Sequence, residues 1–178
     1  DSPRHVTLEQ AREIAAAVPP HVARVGVFVN AEPAFIQQAV AECMLNILQF
    51  HGDETPEQCR GFPVMTMKAF RMRGPETLEQ LPEYGTDGFL LDAYVKDALG
   101  GTGETFNWDL AVRAAEFGKP IFLAGGLTPD NVADAVQQVR PFGVDVSSGV
   151  ESAPGKKDAD AVWSLVAAVR AAERLPDA

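Results

Sequence analysis

Apolar residues recur along the chain in two alternating patterns, one with helical spacing and one in short continuous runs. The stretch 7–18 (TLEQAREIAAAV) repeats apolar residues at the spacing of one helix face. Thr7 is its predicted N-cap, with Gln10 three residues later as the capping-box partner. The next run, 22–30 (VARVGVFVN), is rich in β-branched and aromatic residues, which predicts a strand.

The same alternation continues to the end of the sequence and predicts six strands, each followed by a helix, with one further helix before the first strand. Strands alternating with helices are typical of parallel βα units. Further strands are predicted at 46–52, 64–72, 87–93, 119–126 and 143–149, and further helices at 31–44, 55–62, 74–84, 107–118, 128–139 and 158–175.

Polar residues and glycines cluster where the predicted strands end. Asn30, His51, Arg71 and Asp92 each stand at the last or next-to-last position of a predicted strand. A barrel of parallel βα units carries its active site on the loops at the carboxyl ends of its strands. The pattern therefore predicts an α/β barrel enzyme with these residues on its active face.

Three glycine-rich loops share that position and predict a phosphate site. Small residues let backbone N–H groups approach an anion, and the positive end of a helix dipole favours negative charge. The alternative is that the glycines only make tight turns. The predicted phosphate-binding residues are Gly101, Thr102, Gly103, Gly125, Gly126, Ser147, Ser148 and Gly149.

Composition narrows the class of protein and of partner. The 178 residues are 46% apolar and 22% charged, as in an ordinary soluble globular domain, and the net charge of −10 argues against nucleic-acid and membrane-surface partners. No apolar run approaches the roughly 18 residues that a membrane span needs. Cys43 and Cys59 lack metal-ligand spacing, which fits a reducing compartment. We expect a cytoplasmic protein without a metal.

Several long segments resemble phosphoribosylanthranilate isomerases. LQFHGDE (48–54), LLDAYVKDALGGTGETFNWDLA (90–111) and GVDVSSGVESAPGKKD (143–158) occur in the family's order. The resemblance implies a TIM (β/α)8 barrel with about six of its eight strands in this sequence. It also implies the Amadori rearrangement of N-(5-phosphoribosyl)anthranilate to 1-(2-carboxyphenylamino)-1-deoxyribulose 5-phosphate in tryptophan biosynthesis, without cofactor or metal. The small-molecule partner is this phosphosugar–anthranilate, and the assembly is expected to be a monomer or homodimer.

The resemblance also assigns roles to individual residues. Asp92 matches the family's general acid, with a simple loop cap as the alternative. Arg4 matches the arginine that holds the anthranilate carboxylate, although an arginine there is also compatible with plain solvation. His51 is expected to line the substrate cleft or to hold its own loop. Asp145 is expected to orient the substrate's amino nitrogen or to face polar partners inside the barrel.

The family's general base is a cysteine in a KICG-like motif, which this sequence does not contain. Cys43 and Cys59 have the pattern of core residues. We therefore expect residues 1–178 to be a single barrel domain that lacks strand 1, helix 1 and strand 2, with the base on that segment.

Two alternatives remain at this point. One is a truncated, inactive barrel fragment that keeps the phosphate loops. The other is a different phosphosugar isomerase barrel, such as a histidine-pathway enzyme, but the half-barrel repeat of those enzymes would need a second LLDA-like segment, which the sequence lacks.

Overall fold

The computed structural model describes residues 2–92 and 108–174, and in these ranges it contains five α-helices, eight strands and two 3-10 helices. The helices are α1 Leu8–Ala17, α2 Pro33–Cys43, α3 Trp108–Ala115, α4 Val132–Val139 and α5 Ala159–Glu173. The strands are β1 Val25–Phe28, β2 Ile47–Phe50, β3 Met65–Arg71, β4 Gly88–Asp92, β5 Ile121–Ala124, β6 Gly143–Val144, β7 Glu151–Ala153 and β8 Lys156–Lys157, and the 3-10 helices are Pro75–Glu83 and Ser148–Val150.

The chain divides into two compact units. The first comprises Asp1–Phe70 and Pro82–Phe89, and the second comprises Arg71–Leu81 and Leu90–Ala178. β4 begins in the first unit and ends in the second. The strand order is β1-β2-β3-β4 in the first unit and β4-β5-β6 in the second.

The strand pairs follow the parallel arrangement that alternating strands and helices predict. β1 runs parallel to β2 and β2 runs parallel to β3, with Val25 opposite Ile47 and Ile47 opposite Met65. In the second unit β5 runs parallel to β6, with Phe122 opposite Gly143. The carboxyl ends of neighbouring strands therefore lie at the same edge of the sheet within each unit.

The first helix begins as the sequence predicts. The Gln10 N–H donates to Thr7 Oγ1 at 3.2 Å, and the Thr7 N–H donates to Gln10 Oε1 at 2.8 Å. This capping box provides partners for two backbone donors that the first turn of a helix leaves unpaired. The predicted N-cap and its partner are confirmed.

Two predicted helices take other conformations. The segment 55–62 forms only a turn at 56–59, and Gly61 follows it at φ +81°. The segment is too short for its few helical hydrogen bonds to offset the free-energy cost of helix nucleation. The predicted helix over 74–84 is the 3-10 helix Pro75–Glu83. It contains Pro82, which has no N–H to donate and whose ring crowds the preceding turn of an α-helix.

Two further boundaries differ near the glycine loops. The helix predicted from residue 128 begins at Val132, and the side chain of its N-cap residue Asn131 accepts a hydrogen bond from the Thr128 N–H in the loop before it. The last predicted strand, 143–149, is shorter in the structure: β6 ends at Val144, and the backbone at Ser147 is no longer extended (φ −106°, ψ −89°). The short antiparallel hairpin of β7 and β8 was not predicted.

Each unit has an apolar core. In the first unit, β1 and β2 pack against α2 through a cluster that includes Phe28, Ile36, Leu48 and Phe50. In the second unit, α4 and α5 pack together through Val132 and Leu165 with Val150 beside them. These cores support the strands from whose ends the candidate site residues project.

Candidate functional site

Asp92 is the last residue of β4 and lies in the second unit. The three residues before it, 89–91, are almost completely buried, whereas Asp92 itself is half-buried. Its backbone carbonyl accepts a hydrogen bond from the Met72 N–H at 3.0 Å. The carboxyl group therefore lies at the end of a buried strand, which is the position that the sequence predicts for it.

The loop after β5 is shaped by two glycines and one asparagine. Gly125 and Gly126 have φ values of +88° and +64°, a region that side chains other than glycine rarely adopt. The Asn131 side chain donates to the Gly126 carbonyl at 3.0 Å and accepts from the Thr128 N–H at 2.8 Å. The loop is thus held by its own helix N-cap residue.

The loop after β6 packs directly on the loop after β5. A Cβ added at Gly149 would overlap the Leu127 carbonyl oxygen, so this contact requires glycine. The Ser147 carbonyl accepts a hydrogen bond from Lys157 Nζ at 2.9 Å, and the same Nζ is 2.9 Å from Glu151 Oε1. The predicted phosphate residues Ser147 and Ser148 are exposed beside this contact.

Within the second unit, two of the three predicted phosphate loops therefore form one surface. It is built from backbone and small side chains, which is the composition that lets N–H groups reach an anion. The third loop, with Gly101, Thr102 and Gly103, lies outside the described residues. Asp145 follows β6 with an exposed side chain, and its N–H donates to the Leu123 carbonyl at 2.8 Å.

His51 follows β2 in the first unit. Its N–H donates to the Phe28 carbonyl at 2.8 Å, which continues the ladder between β1 and β2. Its Nδ1 lies 2.9 Å from Nε2 of Gln49, a buried side chain. An amide nitrogen is only a donor, so Nδ1 accepts this bond and Nε2 carries the proton of the neutral ring.

A buried ion pair lies next to His51, and sequence reasoning missed it. Lys68 Nζ on β3 is 3.0 Å from Glu54 Oε2, and both side chains are 4% exposed. Burial raises the pKa of the Glu54 carboxyl, but hydrogen bonds from the Asn30 N–H and Lys68 outweigh burial, and the pKa is lowered overall. Glu54 is therefore an anion at neutral pH. The segments LQFHGDE and KAFRM contain both residues, but nothing in their spacing indicates the pairing.

Arg4 is exposed near the start of the described chain, and its N–H donates to Ser2 Oγ at 3.2 Å. It borders a cavity of about 510 Å3 within the first unit. The other walls are mainly apolar and come from α1, β1 and α2, among them Leu8, Val27 and Phe35. A guanidinium at the rim of an apolar cavity suits a planar aromatic carboxylate.

Neither cysteine has the properties of a catalytic base. Burial raises the pKa of the Cys43 thiol, with Glu42 adding to the effect. Burial likewise raises the pKa of Cys59 to about 11. The thiolate is the reactive form, so both residues are inert core thiols at neutral pH. The prediction that both belong to the core is confirmed.

Within residues 2–92 and 108–174, no group of three or more His, Cys, Asp or Glu side chains is arranged to hold a metal ion. No helix in these ranges is long and apolar enough to cross a membrane.

Comparison with known proteins assigns these features to one family. The family model for N-(5'-phosphoribosyl)anthranilate (PRA) isomerase matches residues 1–168. An N-(5'-phosphoribosyl)anthranilate isomerase of Trichlorobacter lovleyi is 52% identical over 166 residues, which cover 93% of this chain and 81% of the relative. The enzyme of Geobacter sulfurreducens is 53% identical over the same shares of both chains.

Solved structures give the same result. The crystal structure of phosphoribosyl anthranilate isomerase from Thermotoga maritima superposes with a TM-score of 0.86 and 39% identity, covering 96% of this chain and 84% of that one. A phosphoribosyl anthranilate isomerase in complex with reduced 1-(o-carboxyphenylamino)-1-deoxyribulose 5-phosphate superposes with a TM-score of 0.83 and 37% identity, covering 96% and 83%. The predicted fold class, a (β/α)8 barrel represented by six strands, is confirmed. The expectation that the catalytic cysteine is absent from the chain is not borne out by these findings.

Proposed function

Because the chain belongs to the N-(5'-phosphoribosyl)anthranilate isomerase family, we propose that it catalyses the Amadori rearrangement of N-(5-phosphoribosyl)anthranilate to 1-(2-carboxyphenylamino)-1-deoxyribulose 5-phosphate in tryptophan biosynthesis. The observation that carries this proposal is the family match over residues 1–168. Relatives of the same name that are more than half identical support it.

The reaction needs a proton donor and a proton acceptor. An acid protonates the ribose ring oxygen, the bond from that oxygen to C1 breaks, and an iminium forms at the amino nitrogen. A base then removes the proton from C2, and the resulting enolamine tautomerises to the ketose. Asp92 is proposed as the acid, since its carboxyl group ends a buried strand in the second unit. Positioned acids and bases of this kind each contribute about 10²- to 10⁴-fold in rate.

The substrate phosphate is proposed to bind the backbone amides of the two contacting loops in the second unit, near Gly126 and Gly149. Their left-handed and closely packed backbone supports this assignment. The loop with Gly101, Thr102 and Gly103 is proposed as a third contributor on the strength of its sequence alone.

The remaining contacts are proposed to fix the other parts of the substrate. Arg4 binds the anthranilate carboxylate, for which a forked guanidinium is suited. His51 donates a hydrogen bond from Nε2 to a substrate oxygen, and Asp145 orients the amino nitrogen. Neither Cys43 nor Cys59 is proposed as the base, since both pKa values are raised by burial.

We further propose that the enzyme works in the cytoplasm, as a monomer or homodimer, without cofactor, metal or nucleic acid. One supporting observation for the dimer is a 37% identical Thermotoga maritima structure described as that of monomers generated from a dimeric phosphoribosylanthranilate isomerase. The net charge of −10 supports the absence of a nucleic-acid partner.

The assignment of the acid is tested with Asp92→Asn, which keeps the shape of the side chain but cannot donate the carboxyl proton. The expected result is a loss of two to four orders of magnitude in kcat with little change in KM. Asp134→Asn, an exposed position on α4 of the same unit, is the control and should retain the wild-type rate. An Asp92→Asn variant with more than a tenth of the wild-type kcat would end the assignment.

A further inference from the structure

The buried pair of Glu54 and Lys68 is the hub of a hydrogen-bond network in the first unit. Glu54 Oε1 accepts the Asn30 N–H at 2.7 Å, and Oε2 accepts the Gly52 N–H at 2.8 Å and the Lys68 ammonium at 3.0 Å. Lys68 Nζ also donates to the carbonyls of Gly52 at 2.7 Å and Phe50 at 3.4 Å.

The network holds the backbone of the loop after β2 on both sides of His51. The Asp53 N–H donates to Asn30 Oδ1 at 2.8 Å, and the Tyr84 hydroxyl donates to the Glu54 carbonyl at 3.0 Å. Asn30 reaches this position with φ +52°. The backbone from Phe50 to Glu54 is therefore held at every residue by a partner within the first unit.

The loop is also closely packed at its centre. A Cβ added at Gly52 would lie 2.8 Å from Glu54 Oε1 and would overlap Asn30 Oδ1. The carboxylate and the backbone thus fit together without room for a side chain. This arrangement fixes one conformation of the residues that directly follow His51.

Stability alone does not account for this pair. Taking two ions out of water costs several kcal/mol for each ion, and well-packed apolar residues at buried ion-pair positions are often as stable or more stable. What an apolar pair cannot provide is the set of bonds to the N–H groups of Asn30 and Gly52 and to the Gly52 carbonyl. The distinctive contribution of the pair is therefore the geometry of the loop.

We propose that the Glu54–Lys68 pair is a positioning device that fixes the loop 51–54 and, through it, the orientation of the His51 ring. The proposal rests on the proposed function, in which His51 meets the substrate. Glu54 and Lys68 are then positioning residues for the isomerase reaction, while the Gln49 amide sets which ring nitrogen of His51 carries the proton.

Glu54→Gln is the sharpest single test. All three partners of the Glu54 carboxylate are donors, so the amide nitrogen of glutamine must face a donor on one side of the side chain. We expect kcat/KM to fall about 10- to 100-fold, the scale of a misplaced substrate contact. Glu42→Gln, on the exposed side of α2 in the same unit, is the matched control and should leave kcat/KM within about twofold of the wild type.

A double-mutant cycle connects this loss to His51. If Glu54 acts by positioning the ring, adding Glu54→Gln to His51→Ala should lower kcat/KM little further, because the ring is already absent. Full additivity of the two losses would overturn the proposal. If His51→Ala alone leaves kcat/KM unchanged, the assignment of His51 to the substrate fails instead, which is a failure of the proposed function.

A readout independent of turnover is the pair of His51 ring nitrogen signals in NMR at a pH where the ring is neutral. In the wild type one nitrogen should carry the proton and the other should not. In Glu54→Gln the ring should lose its fixed orientation and with it the contact of Nδ1 with Gln49, so its two nitrogens should give averaged signals. Unchanged His51 signals in Glu54→Gln would overturn the proposal.

A second variant covers the case in which Glu54→Gln does not fold. The double substitution Glu54→Leu with Lys68→Met replaces the ion pair by an apolar pair, so no buried charge is left without its partner, and it should recover most of the stability that Lys68→Met alone loses. Under the proposal its kcat/KM stays low although most of the stability is recovered. Recovery of both would show that the pair is only structural.

Discussion

The loop after β2 and the two loops after β5 and β6 are held in place by different means. Around His51, a buried carboxylate and a buried ammonium bind backbone groups of the loop. Around Gly126 and Gly149, the two backbones contact each other directly, and the charged pair beside them, Lys157 with Glu151, has a lysine that is 49% exposed. Only the first region uses a fully buried ion pair to fix its shape.

The difference follows from what each region is proposed to bind. A phosphate is recognised by N–H groups, so its site needs close backbone and small residues. A histidine ring must be aimed at one substrate atom, so its loop needs partners that fix a single conformation. The two regions should therefore differ in which substitutions damage them and in which property is lost.

The largest effect on stability is expected for Lys68→Met in the first region. It leaves the Glu54 carboxylate buried without its cation, which should lower the free energy of unfolding by about 3–5 kcal/mol. Lys157→Met removes the matching lysine of the second region, and it should cost less than Lys68→Met because Lys157 is 49% exposed, although its partner Glu151 is 4% exposed. Urea unfolding measures the free energy of unfolding of both variants. Equal losses in the two variants would contradict the difference between the two regions.

A smaller effect on stability, but a direct effect on binding, is expected for Gly149→Ala. The added methyl group overlaps the Leu127 carbonyl, so the two loops must separate. Overpacking of this kind costs about 1–3 kcal/mol. The Kd for inorganic phosphate should rise at least tenfold, as followed by NMR titration. Gly85→Ala is the control, because a Cβ there meets only the Arg60 side chain, at 3.6 Å. Unchanged phosphate binding in Gly149→Ala would remove this loop from the site.

The smallest expected effect is a change with acid pH in the stability difference between the wild type and Glu54→Gln. The pKa of Glu54 is lowered in the folded protein because its hydrogen bonds outweigh its burial. A carboxyl with a lowered folded pKa contributes stability above its unfolded value, usually 4.5, and loses that contribution as the pH falls through the folded value. The stability advantage of the wild type over Glu54→Gln should thus be constant from pH 8 to about 5 and shrink below about 4.5. A constant difference at all pH values would contradict the lowered pKa.

The backbone of the second region was largely predictable from the sequence, while the first region was not. Glycines that follow a strand predict a tight, closely packed loop by their type and position alone, and Gly125, Gly126 and Gly149 have such backbone conformations and contacts. Thr7 and Gln10 were recognised for the same reason, because a capping box is a local pattern.

The Glu54–Lys68 pair was missed because its partners lie 14 residues apart, on different elements. Lys68 stands in an apolar run, where pattern reasoning predicts a buried strand and gives no partner for its charge. The end of β6 and the start of α4 were also misplaced. The start of α4 depends on the bonds of the Asn131 side chain to the Gly126 carbonyl and the Thr128 N–H, which helix propensity does not contain.

The most direct test of the account is the kcat/KM of the protein for N-(5-phosphoribosyl)anthranilate, measured beside the kcat/KM for the phosphoribosyl substrate of the histidine-pathway isomerase. The account predicts conversion of the anthranilate substrate to its ketose product with a kcat/KM at least about 100-fold higher than for the other substrate, a preference of about 2.7 kcal/mol. Absence of anthranilate conversion, or a higher kcat/KM for the histidine-pathway substrate, would contradict it.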